Sequence, residues 1–312
     1  MKPHLLLVEP MMGLIEARLD EAYTVHRLYD PGQQSSIDAN LSAIRAVATG
    51  GGTGLSSDWI EKLPALGVIA INGVGTDKVD LKLARSRNID VTTTPGVLTD
   101  DVADTGMALM LAVLRHVVKG DAFVREGRWA DGEAFPLGSS PKGKRIGILG
   151  LGQIGRALGR RAEAFGMSVR YWNRSPVADS DWISHSTPVE LAGDSDVLAV
   201  CIAANSGTQG IVDAGVLAAL GSKGILVNVA RGSVVNEDAL LAALSSNTIA
   251  GAGLDVFMNE PTIREEFLTA PNTVLIPHQG SATLETRIAM GELVLANLAA
   301  RFAGKKPPTT VN

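Results

Sequence analysis

The 312-residue sequence predicts an α/β protein made of two doubly wound parallel-sheet domains. Three observations carry that reading. Short apolar runs alternate with longer stretches of helical spacing, the pattern of a parallel sheet covered on both faces. The alternation comes in two series, with an apolar helix and then a polar loop between them. The second series opens on a glycine-rich turn between a strand and a helix, the context in which such a turn binds phosphate.

In the first series the strand candidates are 5–8, 24–27, 46–49 and 67–71, rich in Leu, Val, Ile and Ala. Between them, 14–20, 36–41 and 57–63 carry helical spacing. An apolar helix follows from Thr99 to about Val118, too interrupted by Arg115 and His116 to span a bilayer. The loop from Arg125 to Lys144 is rich in Gly, Pro and Ser and holds Trp129 and Phe135. Its two aromatics point either to a homodimer contact or to a loop folded over its own domain. The second series has buried strands at 145–149, 169–172, 197–202, 224–229 and 249–254, and a final helix spans 283 to about 302.

The turn Gly150-Leu-Gly152-Gln153-Ile154-Gly155 sits between strand 145–149 and helix 154–165. Glycine there permits a tight turn and close approach of backbone to a dinucleotide pyrophosphate at the helix N-terminus. At the end of the next strand, where an NAD site offers Asp or Glu to the ribose, the chain has Asn173, Arg174 and Ser175. An Arg with a hydroxyl neighbour suits a 2′-phosphate and so NADPH; the alternative is an exposed polar turn. The run Gly138 to Arg145 approaches a P-loop but lacks the closing Ser or Thr and precedes its strand, so it is set aside.

Of five histidines, His4, His26, His116, His185 and His278, no two have metal-ligand spacing, and no metal site is expected. His278 lies just past a strand, where a structural and a functional role are both open. Arg231 follows strand 224–229, and Asp255 and Glu260 follow strand 249–254. A cation for an anion, a histidine for a proton and a carboxylate to pair with it make a kit for hydride transfer to a carbonyl.

Composition excludes several classes. One cysteine, Cys201, leaves no disulfide framework. A net charge of −5 and 4% aromatics argue against a nucleic-acid partner. No signal peptide or membrane span is read, and a cytoplasmic protein is expected.

The runs Asn72-Gly-Val-Gly-Thr-Asp-Lys-Val-Asp80, Thr94-Pro-Gly-Val-Leu-Thr-Asp-Asp-Val-Ala-Asp-Thr105 and Gly150 to Gly155 resemble the D-2-hydroxyacid dehydrogenase family. So do Ala230-Arg-Gly232, Gly251-Ala-Gly-Leu-Asp-Val-Phe257, Glu260-Pro261 and Pro277-His-Gln-Gly-Ser-Ala-Thr283. The ordered set covers nearly the whole chain. Within the family, the Leu98-to-Asp104 run and the Asn-Arg-Ser turn are most similar to NADPH-dependent glyoxylate/hydroxypyruvate reductases and plant hydroxyphenylpyruvate reductases.

The resemblance implies a flavodoxin-like substrate domain, 1–98 plus 284–312, and a Rossmann cofactor domain, 99–283. It implies catalysis by Arg231, Glu260 and His278 in a cleft between the domains, with Val74, Gly75, Arg231 and His278 holding a small 2-oxo acid. For the cofactor it implies Thr105, Gly150, Gly152, Gln153, Ile154, Gly155, Asn173, Arg174, Ser175, Cys201, Thr208, Val229, Ala230, Asp255, His278 and Gly280. It also implies NADPH as the preferred cofactor, with NADH also usable, and a homodimer in which the loop from Arg125 to Lys144 reaches the partner. Two departures are Thr76, where the family often has Tyr, and Ala203-Ala-Asn205, where it has a Pro-Leu-Thr turn. The alternatives are a reductase of bulky 2-oxo acids such as hydroxyphenylpyruvate and, more remotely, a dinucleotide sensor without turnover.

Overall fold

The computed structural model describes residues 2–312. The chain divides into two compact units, one running up to Leu98 and resuming at Ala282–Asn312, the other Thr99–Ser281. In chain order the first unit holds β1 (His4–Leu7), α1 (Gly13–Ala22), β2 (Thr24–Arg27), α2 (Gln34–Asn40), β3 (Ile44–Gly50), α3 (Ser57–Lys62), β4 (Val68–Asn72), α4 (Leu81–Ser86) and β5 (Asp90–Thr92). The second holds α5 (Thr99–Leu114), α6 (Val117–Arg125), β6 (Arg145–Leu149), α7 (Gln153–Ala164), β7 (Ser168–Trp172), β8 (Ile183–Ser184), α8 (Pro188–Gly193), β9 (Val197–Val200), α9 (Ala214–Leu220), β10 (Ile225–Asn228), α10 (Glu237–Ser245), β11 (Gly251–Leu254), α11 (Glu266–Thr269) and β12 (Thr273–Leu275). The last helix, α12 (Leu284–Phe302), belongs to the first unit.

The first sheet has the order β2-β1-β3-β4-β5, and its ladders are parallel. Successive side chains of a strand alternate between faces, and β1 displays the consequence. Leu5 and Leu7 pack with Ile15 and Leu19 of α1 and with Val294 and Leu298 of α12. Leu6 packs on the opposite side with Ile37, Ile60 and Ala84 of α2, α3 and α4. Burial on both faces is why these strands read as continuous apolar runs.

The second sheet, β12-β11-β10-β9-β6-β7-β8, is also parallel. From β6 the chain runs outward through β7 and β8, then crosses back to β9. The order therefore reverses between β6 and β9, and ligands bind at the carboxyl ends of strands at such a reversal. The two parallel α/β sheets match the expected fold class.

Two sequence expectations need correction, and one open question gains detail. The apolar helix does not run to Val118: it stops at Leu114, and His116 takes a left-handed φ of 55° before α6 begins. His116 Nδ1 donates to Asn272 Oδ1 at 3.3 Å, a tertiary contact that no local pattern reveals. A fifth strand, β5, joins the first sheet, too short and too polar at Asp90 and Thr92 to register as an apolar run. Of the two loop aromatics, Phe135 folds back onto Phe123 of α6 with ring centroids 5.1 Å apart, whereas Trp129 is 71% exposed.

Candidate active site

Around the β6–β9 reversal, backbone geometry explains each glycine of the turn. Gly150 has φ +102°, and a Cβ there would lie 2.6 Å from Ile202 Cα, so only glycine fits. A Cβ on Gly155 would run into the Gly150 carbonyl, so glycine lets α7 close against the turn. At Gly152 a Cβ would meet nothing within 4 Å. Gly152 is the N-cap of α7 and supplies no side-chain cap, so the first-turn N–H groups of Gln153, Ile154 and Gly155 are left to an anionic ligand. Open space at an uncapped helix N-terminus fits a dinucleotide pyrophosphate.

Asn173 ties this turn to the next strand end. Its Oδ1 accepts from Leu151 N at 3.2 Å, and its Nδ2 donates to Ser175 O at 2.8 Å. Arg174 and Ser175 are exposed, and Arg174 makes no ion pair among the described residues. Across the reversal, Cys201 N donates to Leu149 O at 2.9 Å. Burial pushes the Cys201 thiol up to about 12, so at neutral pH it is a neutral wall and no nucleophile. Asn205 replaces the expected Pro-Leu-Thr turn by accepting from Gly207 N at 2.9 Å, while buried Thr208 accepts from Asn205 N at 2.9 Å. The turn at Ala203-Ala204-Asn205 is thus closed by side chains in place of proline.

Beyond β10, Asn228 organises the segment with Val229, Ala230 and Arg231. Its Oδ1 accepts from Ala230 N and its Nδ2 donates to Arg231 O, both at 3.0 Å. Sequence reasoning missed Asn228; the signal was a lone amide ending the apolar strand Ile225–Asn228, 1% exposed. Arg231 Nη1 donates to Ala230 O at 2.8 Å. At Gly232 a Cβ would collide with the backbone of Phe257 and Met258, so glycine brings this segment against the one that carries Glu260.

After β11, Asp255 is 2% exposed, and its carboxylate accepts from the backbone N–H groups of Gln279 and Gly280. Burial raises its pKa, against the pull of those N–H groups and of His278. Thr105 Oγ1, on α5, donates to Gly280 O at 3.4 Å. Asp255 and Thr105 hold the segment just past His278 from two sides.

His278 itself has φ +53°, a left-handed conformation that a non-glycine residue adopts only when its surroundings enforce it. His278 N donates to Asp255 O at 2.9 Å, and the ring Nδ1 donates to Glu260 Oε2 at 2.6 Å. An ionised carboxylate only accepts, so Nδ1 carries a proton and Nε2 is the nitrogen that exchanges one with a ligand. Glu260 Oε1 accepts from Phe257 N at 2.8 Å. Burial would raise the Glu260 pKa, but His278, the Phe257 N–H and the Arg231 charge together hold it below the ordinary carboxylate range. Behind the pair, Phe257, Ile263, Leu268, Leu275, Ile276 and Pro277 line an apolar pocket of about 330 Å³. One side of the His278–Glu260 hydrogen bond is thus bordered by apolar side chains.

The second unit thus brings Arg231, Glu260, His278, Asp255, Gly280 and Thr105 into one neighbourhood, with the glycine turn at the adjoining reversal. Val74 and Gly75 lie in the first unit, just past β4, with Val74 40% exposed. No helix among the described residues is long and apolar enough to cross a membrane.

The family model described as D-isomer specific 2-hydroxyacid dehydrogenase, NAD binding domain, matches residues 107–280. A 2-ketogluconate reductase of Gluconobacter oxydans is 46% identical over 310 residues, 99% of each chain. A hydroxyphenylpyruvate reductase of Plectranthus scutellarioides is 41% identical over 98% of each chain. The crystal structure of an NADPH-dependent glyoxylate/hydroxypyruvate reductase from Sinorhizobium meliloti, in complex with NADP and malonate, is similar with a TM-score of 0.94 at 40% identity. That match covers 100% of this chain and 97% of the other.

Proposed function

The chain belongs to the D-isomer specific 2-hydroxyacid dehydrogenase family and is an NAD(P)-dependent oxidoreductase, and from that premise we propose that it reduces small 2-oxo acids, glyoxylate and hydroxypyruvate first, to D-2-hydroxy acids with NADPH. The observation that carries this reading is the 2.6 Å His278–Glu260 pair beside Arg231, at the carboxyl ends of the sheet that bears the glycine turn.

A dinucleotide held by its pyrophosphate at the glycine turn would supply the hydride from its reduced nicotinamide. His278 gives the Nε2 proton to the alkoxide that develops at the substrate carbonyl, as a positioned general acid. Glu260, ionised at neutral pH, orients the ring through Nδ1 and balances the imidazolium charge. Arg231 bridges the carbonyl and carboxylate oxygens of the substrate, lending orientation and charge stabilisation. The backbone N–H groups of Val74 and Gly75 take the substrate carboxylate. Asp255 helps seat the nicotinamide carboxamide by keeping Gln279 and Gly280 in place. The test is a steady-state assay of NADPH oxidation: turnover with glyoxylate and hydroxypyruvate is expected. Turnover of hydroxyphenylpyruvate alone would make it a reductase of bulky 2-oxo acids, and tight NADPH binding with no turnover of any of the three would leave a dinucleotide sensor.

The protein also acts as a homodimer in this reading, through the loop between α6 and β6. Trp129 is 71% exposed and Leu137 95% exposed, and Val117, Val118 and Val124 of α6 are each 55% exposed. Large apolar side chains exposed along α6 and the loop that follows suit an interaction surface. Light scattering at micromolar concentration is expected to give twice the monomer mass, and a Trp129→Ser, Leu137→Ser double variant to shift it toward monomer. A monomeric unmodified protein would end the dimer proposal.

A further inference from the structure

We propose that Glu237, at the start of α10, is a positioning residue for the reduction. By gripping the backbone at Met258 it fixes Glu260 relative to Arg231, and so keeps the His278–Glu260 pair set for proton transfer. The inference rests on the reductase reading above and adds to it a residue outside the groups that meet the substrate.

Glu260 sits on a short turn after β11 that its own side chain closes, Oε1 accepting from Phe257 N at 2.8 Å. A bond within one turn sets its shape and leaves its place to outside contacts. The next backbone donor, Met258 N, gives to Glu237 Oε1 at 2.8 Å. Upstream of Glu237, Gly232 meets the same peptide, since a Cβ there would collide with Phe257 C and Met258 N. One segment, 232–237, therefore grips the Phe257–Met258 peptide twice, once by close packing and once by a hydrogen bond. That segment starts on the residue after Arg231. The cation and the carboxylate of the site are thus joined through this grip.

The gripping segment is itself held. Val234 and Val235 are buried, Val212 N donates to Val234 O at 3.1 Å, and Asn236 N donates to Val212 O at 3.0 Å. Asn236 caps α10 by accepting from Ala239 N at 3.0 Å, so Glu237 is presented from a fixed helix end. Glu237 is half-buried, whereas its neighbour Asp238 is exposed and pairs with Arg264. An exposed pair of that kind contributes little. The charges that hold the Glu260 carboxyl low are His278 and Arg231, and Asp255 is the other ionisable group beside the pair. Glu237 acts on Glu260 through the backbone. The Met258 N–H requires only an accepting oxygen, so an amide serves there as a carboxylate does.

The experiment compares Glu237→Ala, Glu237→Gln and Asp238→Ala by the pH profile of kcat and by exchange of the Met258 amide hydrogen. Glu237→Ala is expected to lower kcat by about 10- to 100-fold, the cost of a misplacement of about 1 Å at a reacting group. Its alkaline limb should move to lower pH, the direction expected when Glu260 no longer supports the ring, while NADPH affinity holds. Met258 amide exchange should speed up in the same variant. Glu237→Gln should restore all three, because its amide oxygen still accepts. Asp238→Ala removes a negative charge from the same helix turn and should move none of them. Glu237→Asp, one methylene too short for Met258, carries the test if Glu237→Ala is insoluble. An unmoved limb in the shortened variant overturns the inference, as does a Gln variant that behaves like it or an Asp238→Ala variant that matches it. No turnover of any acid by the unmodified protein overturns the reductase reading and this inference with it, whereas turnover with an unmoved limb overturns this inference alone.

Discussion

Replacing His278 by Ala is expected to lower kcat by about 10²- to 10⁴-fold, the usual contribution of a positioned general acid, with little change in NADPH affinity. The two effects separate because the loop is held by something other than the ring. Asp255 binds the backbone N–H groups of Gln279 and Gly280, and Thr105 binds the Gly280 carbonyl, so the segment keeps its path when the imidazole is removed. Stopped-flow reduction and a cofactor titration by fluorescence measure the two quantities. Near-normal turnover at pH 7 would remove His278 from the mechanism. The pair extends the expectation to pH. Reduction needs a protonated general acid, so activity falls on the alkaline side of the profile, where that acid loses its proton. Glu260→Gln replaces a carboxylate by a neutral amide and should move that fall to lower pH; an unmoved limb would mean that the two residues do not act together. The sign for stability runs the other way. The folded Glu260 carboxyl titrates below its unfolded value, so its ionisation stabilises the fold above about pH 4.3 and that contribution is lost as pH falls through the folded value.

Much of this was legible in the residues, for identifiable reasons. Strands such as Thr24–Arg27 and Arg145–Leu149 are local patterns: β-branched or apolar runs bounded by turn residues. The glycine turn was legible because φ +102° at Gly150 and the close approach at Gly155 are demands that only glycine meets. What was hidden depends on partners distant in sequence. His116 turns left-handed where Asn272 and Phe135 meet its ring, and β5 gains its edge from Thr310, which bridges Thr92 from the far end of the chain. Asn228 reads as an ordinary polar residue until its amide is seen to hold both Ala230 and Arg231. Asp255 reads as a free carboxylate, yet its two oxygens are committed to the loop after His278. In each case the residue type was visible and the second party to the contact was not.

The turn after β7 gives the other large effect. An NADPH preference is expected in kcat/KM with glyoxylate saturating, and Arg174→Ala should lower the NADPH value by about 10- to 100-fold, the worth of hydrogen bonds between a cation and an anion. NADH use should change little, because its ribose carries no phosphate for the guanidinium to meet. Arg174 suits this role: it is exposed and makes no ion pair among the described residues, so it enters the encounter without having to break one. Asn173 makes the turn sharper than sequence alone indicated. Its amide bridges Leu151 N–H on the glycine turn and the Ser175 carbonyl, so the ribose-side turn and the pyrophosphate-side turn are held as one piece. Asn173→Asp keeps an acceptor for Leu151 but sets a carboxylate oxygen against the Ser175 carbonyl and against any 2′-phosphate, while offering the NADH ribose an anionic acceptor. That variant should therefore lose NADPH use through two repulsions and invert the preference, beyond what Arg174→Ala achieves by losing one attraction. If the unmodified protein prefers NADH, Arg174 is a surface charge and the Asn173 bridge serves only to shape the turn.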